Sequence, residues 1–412
     1  MTRAAEPIPF GRYLLKERLA QGGMGEVFRA VAVGESGFEK PVVVKRILPQ
    51  HASRGDFAEL FIAEAKLMTR LAHPNIVGVL DFGRGERGDY FLVLELVDGL
   101  DLGRLMRAHE QRGERFPVPL ALFVIAQVLR GLHHAHVRPE SEGGGLVHRD
   151  ISPGNVLLSR EGEVKVADFG VALARGEEPP TRVADPAGSG AGRARRGLVG
   201  KLAYMAPEQY DGAEVDPGAD IFSAGVLLFQ LLAGALPFAG TTGEEQQAAA
   251  HKGEAGDLRA LRPEVTEEIA AIVRRALSPR RGDRFPDARA MAQVIEGLRD
   301  RGQRVADRDD LADAVRAAMV SLPAQGKRVI SLSASAPVDD TEERELTRTG
   351  GAGGVGAFTL RMSDRTEATV RDGPTAAQRL DLRADPVADH DVSQRAPPAT
   401  PGDPAGEGDT VV

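Results

Sequence analysis

The 412-residue chain contains no cysteine. Without thiols there is no disulfide framework, no thiolate zinc site and no cysteine nucleophile, and the composition suits a reducing compartment. A surplus of positive charge is also missing: 52 Lys and Arg stand against 60 Asp and Glu, a formal net charge of -8. That balance argues against nucleic acid or an anionic membrane as the main partner. The start, MTRAAEPIPFGRYLLKERL, has no apolar run of secretory length and no small-residue cleavage site, so it reads as cytoplasmic. Long uncharged runs are scarce. The exception, IFSAGVLLFQLLAGALPFAG from Ile221 to Gly240, is long enough to span a bilayer. Gln230 within it, Pro237 near its end, and Asp216 and Asp220 before it without a Lys or Arg cluster make it a buried core helix instead. The reading is therefore of a chain with no membrane span. No internal repeat is visible.

What is present is enough apolar matter for a sizeable core, 42% of residues, in a chain long enough for two or three domains. Residues 13–97 predict a small sheet with one helix. The runs YLLKERLA, EVFRAVAV, PVVVKRIL, VGVLDFG and YFLVLEL are rich in β-branched and apolar residues and are set off by glycine-containing turns. Between them DFAELFIAEAKLMTRLA carries Phe57, Leu60, Phe61, Ala65, Leu67, Met68 and Leu71 at helical spacing. From 98 to 300 the pattern is helical, clearest in LALFVIAQVLRGLHHAHV, the run at 221, EEIAAIVRRAL and DARAMAQVIEGLRD. One more helix fits DRDDLADAVRAAMVSL, within 301–323. Beyond Pro323 Phe358 is the only aromatic residue, and a segment so rich in small and polar residues predicts disorder over 324–412.

The chemistry-bearing residues fall in a fixed order. LAQGGMGEV, comprising Leu19, Ala20, Gln21, Gly22, Gly23, Met24, Gly25, Glu26 and Val27, lies between two predicted strands, where glycines let a backbone approach phosphate oxygens. VVVK follows, with Val43 and Lys45 on the next strand, and Glu64 falls on the amphipathic helix as a partner for Lys45. HRDISPGN then supplies Asp150 and Asn155. His133, His134 and His136 sit on one helix without a companion carboxylate or cysteine cluster and read as structural or surface residues.

With DFG at Asp168 and APE ending at Glu208, the sequence from about Tyr13 to Arg299 resembles a bacterial eukaryotic-type (Hanks-type) serine/threonine protein kinase. The resemblance implies an α+β, two-lobed protein kinase fold, with a β-rich N-lobe (13–97) and an α-rich C-lobe (98–300). Its cofactors would be ATP with Mg²⁺ or Mn²⁺, and its substrates proteins. Lys45 would contact the α and β phosphates with Glu64 holding it, Asp150 would receive or orient the substrate hydroxyl proton, and Asn155 and Asp168 would hold metal. YFLVLELVDG resembles the hinge, which implies adenine hydrogen bonds from the backbone of Glu95 and Val97, with Leu94 guarding the back pocket. Glu208 would pair with Arg284, and Asp220 would anchor the catalytic-loop backbone.

Four positions depart from the family pattern. Ala20 replaces the first glycine of the loop, Val43 the alanine of VAIK, Ser152 the lysine of HRDLKPxN, and Lys201 the threonine of GTxxYMAPE. Two readings stand for the last pair: a reciprocal exchange, in which Lys201 supplies the missing cation near the γ-phosphate and Ser152 the hydrogen bond, or a solvent-facing Lys201 and a weaker loop. In the activation segment the serine and threonine residues are Thr181 and Ser189, candidate autophosphorylation sites near Arg193, Arg195 and Arg196. Hydroxyls in DDTEERELTRT (339–349), once phosphorylated, would recruit phosphopeptide-binding domains. The rival readings are a pseudokinase that binds nucleotide as a scaffold and a small-molecule kinase, the latter disfavoured by the APE segment.

Overall fold

A computed structural model describes residues 7–21, 25–47, 61–62, 65–66, 68–85, 88–137, 145–169, 202–238, 240 and 242–322. Gly22, Gly23, Met24, Glu64, Thr181, Ser189, Lys201 and the segment 324–412 lie outside the described residues, as does what was expected of each.

The N-terminal half builds one antiparallel sheet. Its strands are β1 (Ile8–Phe10), β2 (Tyr13–Gln21), β3 (Gly25–Val33), β4 (Glu39–Ile47), β5 (Val79–Arg84) and β6 (Tyr90–Glu95), in the order β1-β2-β3-β4-β6-β5. The sheet begins upstream of Tyr13, because Ile8–Phe10 pairs with Tyr13–Leu15. Side chains alternate along β4. Val42 and Val44 pack with Tyr13, Leu15, Phe28, Ala30 and Val93 on one face, while Val43 joins Leu19, Val27, Leu92 and Leu94 on the other. Lys45 shares the face of Val43 by the same period of two, and its cross-strand partners are Val27 and Leu92. The pleat therefore delivers one cation into an apolar slot. Of the helix expected over 56–72, Phe61, Ile62, Ala65, Lys66 and Met68 are described and helical, with Phe61, Ala65 and Met68 buried against that slot.

The second lobe opens with β7 (Gly99–Asp101), which pairs with β8 (Val156–Ser159), itself paired with β9 (Val164–Val166). These three short strands were not anticipated. Around them stand α1 (Leu102–Gln111), α2 (Val118–His136), α3 (Pro207–Tyr210), α4 (Gly218–Ala233), α5 (Gly243–Lys252), α6 (Leu258–Leu261), α7 (Glu267–Ala276), α8 (Ala288–Glu296) and α9 (Arg308–Ser321). Helix α2 starts at Pro117 and Pro119, whose missing N–H groups cost nothing in a first turn. It packs on α4, α8 and β9. Among the described residues α2 is the one helix long and apolar enough to cross a membrane, and most of its length is buried inside this lobe. The uncharged run at 221 forms α4, buried on nearly every side and ended by Gly234 in the left-handed region at φ 76°.

Candidate active site

The site sits where the two lobes meet, and its walls are apolar. Leu19, Val27, Val43, Leu94 and Val97 from the first lobe form one buried cluster with Leu157 and Ala167 from the second. Such a slot suits a flat, weakly polar ring. Leu94 and Val97 are 3% and 4% exposed, and Glu95 between them is held at both ends. Its N–H donates to the Gly78 carbonyl at 2.9 Å. Its Oε1 accepts from the Gly78 N–H at 2.7 Å and from Lys165 Nζ at 2.9 Å. At the opposite wall the Glu26 side chain turns away to Arg18 and Arg46, with N···O distances of 2.9 and 2.7 Å. Burial opposes ionisation there, but the two guanidiniums outweigh it and hold this carboxyl below its ordinary range.

The stretch His148–Asn155 is fixed by a carboxylate beneath it. Asp220 is fully buried on α4 and accepts the backbone N–H of His148 at 2.7 Å and of Arg149 at 2.8 Å. His136 Nε2 lies 2.7 Å from the same carboxylate. Gln209 Nε2 donates to the Arg149 carbonyl at 2.9 Å. Between these two holds Arg149 is kept at φ 67°, in the left-handed region that a non-glycine side chain disfavours. The other strained motif residue is Asp168, at φ 55°. Backbone strain of this kind, on the order of 1–3 kcal/mol per residue, persists only where surrounding contacts impose it. The buried His148 ring ties the two segments: its Nε2 is 2.9 Å from the Ala167 carbonyl, its Nδ1 accepts from the Asp150 N–H at 3.2 Å, and Phe169 packs on its face.

Asp220 yields a pH prediction. Burial works to raise its pKa, but the His136 hydrogen bond and charge, with the His148 N–H, overcome this and hold the carboxyl below its ordinary range. A carboxyl depressed on folding stabilises the fold above its unfolded pKa, and the contribution is lost as pH falls through the folded value. Asp220→Asn is expected to cost about 1.5–3 kcal/mol near neutral pH. In melting curves the gap to the wild type should narrow as the pH falls below about 4.

Four sequence-predicted residues converge in front of this scaffold. Lys45 Nζ lies 3.2 Å from Asp168 Oδ1, with both side chains largely buried. Asn155 closes a short 3₁₀ turn, Pro153–Asn155. Its Nδ2 donates to the Asp150 carbonyl at 2.7 Å and to Asp150 Oδ2 at 3.0 Å, and its own carbonyl accepts the Ala167 N–H at 2.9 Å. Two buried oxygens, Asn155 Oδ1 and Asp168 Oδ2, then have no hydrogen-bond donor among the described residues. Buried acceptors left without donors are rare and costly. Two hard oxygens of this kind, one anionic, fit a divalent cation such as Mg²⁺ or Mn²⁺.

Residue by residue, the structure brings together Lys45, Asp150, Asn155 and Asp168, and it lines the slot with Leu19, Val27, Val43, Glu95 and Val97. Ala20 packs beside the slot half-buried. Gln21 ends β2 exposed, and Gly25 opens β3 so close to β4 that a Cβ would meet the Arg46 carbonyl at 2.4 Å. Ser152 is buried, and its carbonyl accepts the Asn155 N–H at 3.0 Å. Glu208 and Arg284 form the expected pair, at 2.7 and 2.9 Å. Sequence reasoning missed Gln209, Lys165 and the part His136 takes in holding Asp220. A polar residue one position from a motif and a lysine in a short strand carry no spacing signal. The three histidines in the last turn of α2 have no companion carboxylate or cysteine cluster in the sequence and pointed only to structural or surface residues.

The comparisons with known proteins bear on the family and the fold. Residues 13–294 match the protein kinase domain family, and the chain belongs to that family. It is 41% identical over 291 residues to the tyrosine-protein kinase MasK of Myxococcus xanthus, covering 70% of this chain and 43% of that one. It is 37% identical over 235 residues to the serine/threonine-protein kinase PknA of Mycobacterium tuberculosis, covering 56% and 48%. To the serine/threonine-protein kinase pkn3 of Myxococcus xanthus it is 30% identical over 384 residues, covering 92% and 63%. The chain thus spans less than two thirds of the length of each of these relatives. Among solved structures the kinase domain of M. tuberculosis PknI superposes with a TM-score of 0.51 at 27% identity, covering 72% of this chain and 99% of that domain. The two-lobed fold and the bacterial kinase resemblance drawn from the motifs are borne out.

Proposed function

We propose that this chain transfers the γ-phosphoryl group of ATP to serine and threonine hydroxyls of proteins, its own included. The observation that carries the reading is the pair of donorless buried oxygens, Asn155 Oδ1 and Asp168 Oδ2, set beside the half-exposed Asp150 carboxylate and Lys45. A divalent cation held by Asn155 and Asp168, Mg²⁺ or Mn²⁺, neutralises phosphate charge when bound. The adenine lies in the slot between Val27, Val43 and Leu157, against the backbone of Glu95 and Val97. The loop Leu19–Val27 covers the phosphates. Lys45, oriented by Glu64, holds the α and β phosphates in line. Asp150 takes up or orients the proton of the attacking hydroxyl, and Asn155 keeps that carboxylate in place. Use of ATP puts the reaction in the cytoplasm, with proteins rather than nucleic acid as substrates. The kinase domain is assigned to 13–300, with 301–323 as a helical extension. Phosphorylated hydroxyls in 324–412 are candidates to recruit phosphopeptide-binding domains.

A second reading concerns the acceptor. Ser152 stands where serine/threonine kinases of this family carry a lysine, and one relative is named a tyrosine-protein kinase. One experiment addresses both points: purified chain with radiolabelled ATP and Mg²⁺ or Mn²⁺, a generic protein substrate and phosphoamino-acid analysis. Label on serine and threonine supports the first reading, and label on tyrosine alone replaces it with the second. Lys201→Ala is expected to lose about 10²-fold or more in kcat, the scale of one group that stabilises developing transition-state charge. Full activity in that variant would end the exchange between Ser152 and Lys201. No label with either metal would favour a nucleotide-binding scaffold.

A further inference from the structure

Helix α9 lies beyond the matched family residues, yet it is built into the second lobe. Leu311, Ala312, Val315 and Ala318 form one helical stripe and are 0%, 3%, 0% and 0% exposed. Leu311, Val315 and Ala318 belong to the same core as Ile151 and Val156, which flank the turn carrying Asn155. The helix packs on α1, β7 and β8, the elements that run from the hinge to that turn.

Polar contacts tie it at both ends. Arg308 Nε donates to the Glu161 carbonyl at 2.7 Å, and its guanidinium reaches Glu163 at 3.3 Å. Gly162, at φ 80°, approaches so closely that a Cβ there would lie 1.9 Å from the Arg308 carbonyl oxygen, so only glycine fits. Arg316 donates to the Arg160 carbonyl at 2.8 Å. Arg160 in turn faces both ways. Its N–H donates to the Asp98 carbonyl at 2.9 Å, its Nε lies 3.2 Å from the Asp98 carboxylate, and its far nitrogen touches Met319 Sδ at 3.9 Å. Asp98 directly follows Val97, and Gly99 opens β7, a three-residue edge strand. So short an edge strand holds its place poorly on its own ladder.

We propose that α9 is a clamp that fixes the hinge for nucleotide binding, with Arg160 as the positioning residue between them. The proposal rests on the kinase reading above and extends it. Adenine recognition by backbone groups requires Glu95–Val97 to be held in place: Gly78 and Lys165 hold Glu95, and after Val97 the hold comes through Asp98, Arg160 and α9. The chain passes from this helix into residues 323–412, so that hydroxyl-bearing segment is covalently attached to the clamp.

The test uses the full chain and two variants, Arg308→Ala with Arg316→Ala, and Leu311→Ser with Val315→Ser. Amide hydrogen exchange is followed without nucleotide, and binding of a non-hydrolysable ATP analogue with Mg²⁺ is measured separately. Residues 96–101 are expected to exchange about ten-fold faster when α9 loses protection, while α4 stays protected. Analogue affinity should fall about five-fold with kcat within about two-fold of the wild type, the signature of lost positioning rather than lost chemistry. Because coupling is reciprocal, the analogue should also slow exchange across 308–321 in the unaltered chain. Loss of protection in α9 with wild-type exchange at 96–101 would overturn the clamp. A wild type that binds no analogue would sink the kinase reading, and the nucleotide-free exchange at 96–101 would still decide the clamp.

Discussion

Asp150→Asn is expected to lower kcat for phosphoryl transfer by about 10³-fold, the middle of the range for a positioned proton acceptor, while leaving nucleotide affinity within about two-fold. The substitution keeps the size of the side chain and an oxygen for Asn155 Nδ2 to bond, so the loop geometry should survive. The Asp150 N–H that meets His148 Nδ1 belongs to the backbone and is unaffected. What disappears is the negative charge that draws the hydroxyl proton. A loss confined to kcat separates this role from binding, and melting curves matching the wild type would exclude unfolding as its cause. A kcat within about ten-fold of the wild type would remove Asp150 from the chemistry and assign the hydroxyl proton to another group.

Much of the scaffold behind that prediction was legible in the sequence, for physical reasons that differ from element to element. Strands β3, β4 and β6 announce themselves because much of both faces is apolar, so runs such as VFRAVAV and YFLVLE are dense in β-branched and aromatic residues. The core helices α2 and α4 are apolar over most of their surface and equally plain. Strands β7, β8 and β9 have three or four residues each, too few for any period to register. Helix α5, GEEQQAAAHK, buries only Ala250 and is set by the reciprocal hydrogen bonds of Thr242 and Glu245 at its start, so a search for an apolar stripe passes over it. Within the site, Lys45, Asp150, Asn155 and Asp168 were readable because they stand in motifs that resemble those of the kinase family and follow one another in the family's order. The residues that hold them in place, His136, Gln209 and Lys165, were not, since a supporting hydrogen bond can come from many positions along a chain. Arg160 is the extreme case: its importance comes from contacts with Asp98, 62 residues before it, and Arg316, 156 residues after it.

The second large effect is expected on stability, in Glu208→Ala. Arg284 is 0% exposed at its side chain and forms two parallel hydrogen bonds to Glu208, at 2.7 and 2.9 Å. Its other partners, the carbonyls of Ser278, Gly218 and Pro279 and the ring of Phe222, satisfy its N–H groups and its flat face but cannot balance its charge. Removing the carboxylate strands a guanidinium in the core, a loss of about 3–5 kcal/mol. For a domain of this size that lowers the Tm by roughly 6–15 °C. Arg281, 3.8 Å from Glu208, adds a second positive charge beside the site, and the neighbouring Asp216 is already engaged by Arg281 at 3.3 Å. Replacing both partners, Glu208→Ala with Arg284→Met, removes the stranded charge and is expected to recover more than half of the loss. A double variant no more stable than Glu208→Ala would place the cost in the lost packing of α3 rather than in the charge. The distinction matters for the site, because α3 also carries Gln209, whose amide holds the Arg149 carbonyl. If the charge pair is what anchors α3, then activity in the two variants should follow their melting temperatures, and the pair acts on the catalytic loop through Gln209.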